Sequence, residues 1–234
     1  MQTDENGSPE NCILAVDFGS THAFARIYND KCENLAESVM SSKTTDPEVC
    51  WTVMNDLFED VLKRACVRPI DLNGLGISVQ RNTFLLWNRE TSLPVTRLST
   101  WQENTASSYA SNRNNSHFLY EKCRKGELVF GCLETWLLWR LTGGRAWCTD
   151  ASCSSASGAF DPSIVRCGPL ADIGNDSSKS SSRRVRVTAL IGDSQAAMLG
   201  EGCLNVGDAK LTLGTGSFLC VNIGSSLVPP NTGE

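Results

Sequence analysis

Histidine is nearly missing from this chain: His22 and His117 are the only two in 234 residues. There is no C-x-x-C pair, so the eleven cysteines lack the ligand spacing that a structural zinc site needs. Their odd number, with no sign of export, argues against a disulfide framework. Most of Cys12, Cys66, Cys132, Cys203 and Cys220 read instead as small buried apolar residues in a reducing cytosol. No apolar run approaches the roughly 20 residues that span a bilayer. The segment Met1 to Cys12 is polar and acidic, without the basic start and apolar stretch of a signal peptide. A soluble, cytoplasmic protein with no membrane partner is expected. Basic charge is also short, with 21 Lys+Arg against 26 Asp+Glu and a net charge of −5. No face or tail concentrates it, which argues against a nucleic-acid partner and leaves small neutral or anionic molecules as ligands.

What is present supports one sizeable core: 41% of the residues are hydrophobic. The run Ile13–Leu14–Ala15–Val16 ends on Asp17 and empties into the polar turn Phe18–Gly19–Ser20–Thr21, as a buried strand would. Phe24–Tyr28 and Asn34–Val39 predict two further strands of an antiparallel meander, with Asn29–Asp30 as the turn. From Pro47 to Cys66 the positions Val49, Val53, Leu57, Val61 and Leu62 recur at helical spacing, capped at Thr45 or Asp46. Gly74–Val79 and Thr83–Asn88 are strand-like, joined at Gln80–Arg81–Asn82. Leu133–Leu141 predicts a second helix stopped by Thr142–Gly143–Gly144. Ser152–Ser157 is serine-rich, and Asp176–Arg186 reads as a disordered loop or junction. Val187–Ile191 is a strand ending at Gly192–Asp193, with Ser194 capping the helix that follows, and Lys210–Leu213 with Ser217–Ile223 form a strand pair. No internal repeat occurs at a fixed period.

Three loops carry chemistry: Asp17-Phe-Gly-Ser-Thr21, Gly192-Asp193 and Gly214-Thr-Gly216. A glycine and hydroxyl turn leaving a strand offers N–H and O–H donors to phosphate oxygens, and a neighbouring aspartate can hold a hydrated Mg²⁺. On spacing alone, Asp17 and Asp193 read equally as strand-end turn residues and helix caps. Trp101 and Phe218 also read as core aromatics, and Arg81 as the partner of a surface carboxylate.

The loops and the blocks around them resemble the FGGY carbohydrate kinases, and within that family the glycerol kinases of the glycerol kinase 5 branch. Ile13-Leu-Ala-Val-Asp-Phe-Gly-Ser-Thr21 resembles the first phosphate loop, and Leu75-Gly-Ile-Ser-Val-Gln-Arg81 the substrate-arginine strand. Thr135–Gly143, Thr149-Asp-Ala-Ser152 and Phe160-Asp-Pro162 follow in the family's order. Ile191-Gly-Asp-Ser-Gln-Ala-Ala-Met-Leu-Gly200 is similar to the catalytic-aspartate motif, and Gly207–Phe218 to the second phosphate loop.

The resemblance implies an α/β fold of the RNase H-like, actin and hexokinase kind, a mixed sheet with flanking helices, in which ATP with Mg²⁺ meets a small polyol or sugar in a cleft. It implies Asp193 as the general base, Asp17 on the magnesium side, and Ser20, Thr21, Gly214, Thr215 and Gly216 at the nucleotide phosphates. It assigns Arg81, Asn82, Trp101 and Phe218 to the polyol pocket beside Asp193. Its expected layout is a polar tail over 1–12, a kinase N-terminal domain over 13–224 with an irregular serine-rich insert near 168–186, and a tail over 225–234. The nucleotide-side domain is expected to be absent, which would leave this chain incomplete and with little activity alone; a homo-oligomer is left open.

The chain departs from the family at several points. Asn82 stands where glycerol kinases have glutamate, Ser194 where they have glutamine, and Phe24 where the first loop has arginine, with Arg26 two residues on. A Pro-Tyr-Phe-Ser-like segment is missing between Trp101 and Gly126. These departures keep a second reading open, a non-catalytic binding or regulatory module or a non-functional gene fragment.

Overall fold

Alternation of buried and open positions begins at Cys12. Strand β1 (Cys12–Phe18) hides Cys12, Leu14, Val16 and Phe18, while Ala15 and Asp17 on its other face are half-buried. In the computed structural model, the described residues are 11–102, 116–157, 171–173, 185–213 and 216–225. The chain divides into two compact units, Met1–Asp193 and Ser194–Glu234.

In the first unit β2 (His22–Tyr28) runs antiparallel to β1 and β3 (Asn34–Ser41) antiparallel to β2. The Asn29 side chain holds the β2–β3 turn by accepting the N–H groups of Lys31 and Glu33, at 3.0 and 2.9 Å. Helix α1 (Pro47–Ala65) follows, with the Asp46 carboxylate accepting the Glu48 N–H at 2.9 Å and Pro47 at the first helical position. Its stripe Cys50, Met54, Leu57 and Val61 repeats every three to four residues and is buried as the helix packs on β2 and β3. β4 (Leu72–Val79) and β8 (Val185–Gly192) run parallel to β1, and the short β7 (Ala171–Ile173) pairs antiparallel with the start of β8. The six-stranded order is β3-β2-β1-β4-β8-β7.

Between β4 and β8 the chain builds a second lobe on the same hydrophobic core. It contains the antiparallel pair β5 (Phe84–Asn88) and β6 (Leu128–Cys132), with helices α2 (Ser116–Arg124), α3 (Leu133–Leu141) and α4 (Ala151–Ser157). Helix α3 is mostly apolar, and every residue from Leu133 to Trp139, Glu134 and Thr135 included, is buried, as in a helix enclosed on all sides. Gly131 lets it approach the hairpin: a Cβ there would lie 2.7 Å from Thr135 and 2.8 Å from the Trp87 ring. The second unit contains α5 (Asp193–Gly200), apart from its first residue, and the hairpin of β9 (Ala209–Leu213) with β10 (Ser217–Val221).

Several sequence expectations change. Ser152–Ser157, to which the sequence assigns no element, is helical because Asp150 caps it, accepting the Ser152 N–H at 2.8 Å, and because α4 packs on β6 and β8. The helix after β8 begins on Asp193 itself rather than after a cap at Ser194. Residues 176–184 lie outside the described residues, whereas Val185 and Arg186 open β8. Cys12 and Cys132 are buried as expected, but Cys66 is exposed because it holds the left-handed C-cap of α1 at φ 54°. Cys203 and Cys220 are half-buried, while Cys50, Cys148 and Cys153 join the core. None of the ten described cysteines is in a disulfide. Among the described residues no helix is long and apolar enough to cross a membrane.

Candidate active site

Three parallel strands bring their C-terminal ends to one edge of the sheet. Asp17 of β1 lies beside Ser78 of β4, which lies beside Ile191 of β8; one residue on, Phe18, Val79 and Gly192 are aligned. Asp193 follows directly. The carboxyl ends of parallel strands are where open α/β sheets bind ligands, because each chain turns there and leaves a crevice.

Asp17 and Asp193 are both half-buried. The proton affinity of Asp17 is raised above the ordinary carboxylate range, first by burial and also by the negative charge of Asp193. The Ser78 hydroxyl, donating to Oδ1 at 2.8 Å, and the Arg26 guanidinium act in the opposite direction. Arg26 is not a free phosphate ligand: it is bonded to Glu37 across β2 and β3 and lies over the Phe24 ring. Two carboxylates of one sign at one edge are oxygen donors of the kind a hard divalent cation takes. The residues therefore fit a Mg²⁺ ion bound mainly through water, and among the described residues no group of three or more His, Cys, Asp or Glu side chains is arranged to hold a metal.

The turn after β1 is fixed from outside. The Gly19 N–H donates to the His22 carbonyl at 3.1 Å, and Ser42 closes over the turn, its hydroxyl donating to the Gly19 carbonyl at 2.7 Å and its N–H to the Thr21 carbonyl at 3.0 Å. A Cβ on Gly19 would sit 2.9 Å from the His22 carbonyl oxygen, so the tight turn requires glycine. Ser20 is half-buried and Thr21 exposed at its tip.

Beyond β4 the Gln80 N–H donates to the Phe18 carbonyl at 3.0 Å, carrying the ladder past the strand's end. Gln80 is 5% exposed, and its Oε1 and the Nε of Arg81 are buried polar atoms with no hydrogen-bond partner. Such atoms cost stability unless something binds them. Asn82 takes a left-handed conformation at φ 52°, which asparagine tolerates better than most residues.

The first unit thus gathers Asp17, Arg81 and Asp193 with the Ser20–Thr21 turn. Trp101 is half-buried beyond Ser99, which bridges to Phe84 of β5. Phe218 belongs to the β9–β10 hairpin of the second unit and is 42% exposed, and Gly216 immediately precedes that hairpin's second strand. Gly214 and Thr215 lie outside the described residues. Gln80 lies in the Gln80–Arg81–Asn82 joint that the sequence offers for substrate contact, whereas neither Ser78, inside the Leu75–Arg81 block, nor Asp150 has a role assigned from sequence.

The six-stranded sheet with flanking helices has the actin and hexokinase ATPase fold of the sugar kinases. Plasmodium falciparum glycerol kinase with ADP superposes with a TM-score of 0.72 at 20% identity, covering 92% of this chain and 55% of that one. Xylulose kinase from Lactobacillus acidophilus gives 0.66 at 15% identity, covering 89% and 54%. In sequence, the chain is 29% identical to glycerol kinase 5 of Mus musculus across 96% of its own length and 56% of the mouse protein. It is 28% identical to a glycerol kinase of Coxiella burnetii, strain RSA 493, across 92% and 55%. No family model matches. In sequence and fold the chain is thus similar to glycerol kinases and other sugar kinases, and it spans little more than half the length of these relatives.

Proposed function

We propose that this chain supplies the substrate side of an ATP-dependent phosphotransferase acting on a small polyol or sugar, in the manner of a glycerol kinase. The observation that carries the reading is the convergence of Asp17 and Asp193 at the C-terminal edge of β1, β4 and β8, next to the unpartnered Arg81 Nε. Asp193 takes the proton from the substrate hydroxyl that attacks the terminal phosphate. Arg81 donates to a substrate hydroxyl, and Ser20 and Thr21 offer hydroxyls to phosphate oxygens. Asp17 holds the hydrated Mg²⁺, which when bound neutralises phosphate charge. By the resemblance, Asn82, Trp101 and Phe218 are assigned to substrate contact, and Gly214, Thr215 and Gly216 to the nucleotide phosphates. The cytoplasm is the proposed compartment.

The test is ADP release measured with a panel of polyols and sugars, for a two-domain kinase that carries this chain and for its Asp193→Asn form. A positioned base contributes typically ~10²–10⁴-fold, so the Asn form should lose about that factor in turnover. It should keep Mg·ATP affinity, since asparagine preserves the size and one accepting oxygen, and Asp17 remains to hold the hydrated Mg²⁺. Wild-type turnover in Asp193→Asn removes Asp193 as the base. Asn82, in place of the glutamate that the resemblance expects, favours a second reading as a non-catalytic nucleotide-binding module, because an amide lacks the charge-assisted strength of a carboxylate. Mg·ATP binding with no turnover on any substrate would select it.

A further inference from the structure

The residue before the proposed base is held by a device in the second lobe. The N–H of Gly192 donates to the Ser152 hydroxyl at 2.7 Å, and that hydroxyl is bonded to the Asp150 carboxylate. The direction of the relay follows from the chemistry. A carboxylate only accepts, so the single hydroxyl proton points to Asp150 and the oxygen lone pairs face Gly192. Asp150 also accepts the Ser152 N–H at 2.8 Å, and its carbonyl accepts the Ser154 hydroxyl at 3.1 Å, which locks the first turn of α4 around it. A hydroxyl that donates to a carboxylate is polarised and becomes a better acceptor for the next donor.

The place of this contact in the fold gives it meaning. On one side β8 is paired with β4 as far as Gly192↔Val79. On the other side β7 accompanies β8 only over Val185–Val187. Beyond Val187, among the described residues, the outer edge of β8 has no strand neighbour, and Ser152 receives an N–H that a seventh strand would otherwise take. The backbone that presents Asp193 is thus clamped between β4 and α4.

We propose that Ser152, polarised by Asp150, is a positioning residue that fixes the Gly192–Asp193 backbone and so aims the Asp193 carboxylate. The inference rests on the reading of Asp193 as the base, but its geometric half can be tested without turnover. In the full chain, Ser152→Ala should accelerate amide hydrogen exchange at Gly192 about 10- to 100-fold, the loss of one charge-assisted bond. Exchange at Leu190, inside the β4–β8 ladder, should stay as in the wild type, and Ser152→Thr, which keeps the hydroxyl, should restore protection at Gly192. In the phosphotransfer assay Ser152→Ala should lower kcat about tenfold or more with KM for both substrates within about twofold, again with rescue by Thr. Unchanged exchange at Gly192 in Ser152→Ala overturns the proposal, as does an unchanged kcat alongside faster exchange. Failure of the kinase reading looks different: a two-domain kinase that carries the wild-type chain turns over no substrate, while the exchange results still decide whether Ser152 anchors Gly192.

Discussion

Asp17 is subject to opposing influences. Burial and the Asp193 charge favour its protonated form, while the Ser78 hydroxyl and Arg26 favour the ionised one. Ser78 is the only one of these that can be removed without changing a charge. Ser78→Ala should therefore move the Asp17 titration to higher pH, followed by the side-chain carboxyl carbon signal in NMR. It should also cost about 0.5–1.5 kcal/mol of stability through the lost hydrogen bond. An Asp17 titration unchanged in the variant would mean that the hydroxyl contributes nothing to holding the charge. The same residue shows why motif spacing is a partial guide. The block Leu75–Arg81 marks a strand and an arginine, but that Ser78 lies beside Asp17 follows from the parallel register of β1 and β4.

Among the elements, α1 is specified most completely by local chemistry. Asp46 caps it, Pro47 opens it, Lys63 and Arg64 lie in its last turn, and Cys66 closes it in the left-handed region. Asp46→Ala should lower stability by about 0.5–2 kcal/mol in denaturant unfolding, and Asp46→Ser should recover most of the loss, because serine also accepts the Glu48 N–H. Equal midpoints for Ala and Ser would show that the cap bond is replaced by water at no cost. Helix α4 is the opposite case. Its sequence Ala-Ser-Cys-Ser-Ser-Ala-Ser has no helical period of large apolar residues, and it is helical because Asp150 caps it and Cys153 and Ser154 are buried where it packs on β6 and β8. Such a segment is decided by its neighbours.

At the scale of the whole molecule, the core of the second lobe contains an acid. Glu134 is fully buried on α3, accepting the hydroxyls of Thr149 and, at 3.3 Å, Thr135, while its Oε2 has no partner. Burial pushes its pKa up from 4.5 to about 7. The folded chain thus keeps a proton that the unfolded chain has released, so between pH 4.5 and about 7 folding takes up a proton and stability falls as pH rises. The full effect over that window is on the order of 3 kcal/mol. Denaturant unfolding should therefore give greater stability near pH 5.5 than near pH 8, and Glu134→Gln, which stays neutral, should flatten the difference. A profile with the same slope in the Gln variant would place the titration elsewhere.

Sequence alone determined what short-range chemistry can encode: the strands β1 to β4, the capped α1, the helix α3, and the strand-to-turn loops that end on Asp17 and Asp193. It also carried the ordered motifs of a glycerol kinase-like chain, since residue identity at fixed spacing survives without any structure. Only the tertiary structure decided that β1, β4 and β8 are parallel neighbours whose ends meet, so that residues 17, 81 and 193 share one edge. It alone showed that Arg26 is bonded to Glu37, that Cys66 is exposed, and that a serine-rich stretch is a helix reaching Gly192. The physical reason is common to all of these. Partners 11 to 176 residues apart are chosen by register and burial, and these are properties of the packed sheet rather than of any window of the chain.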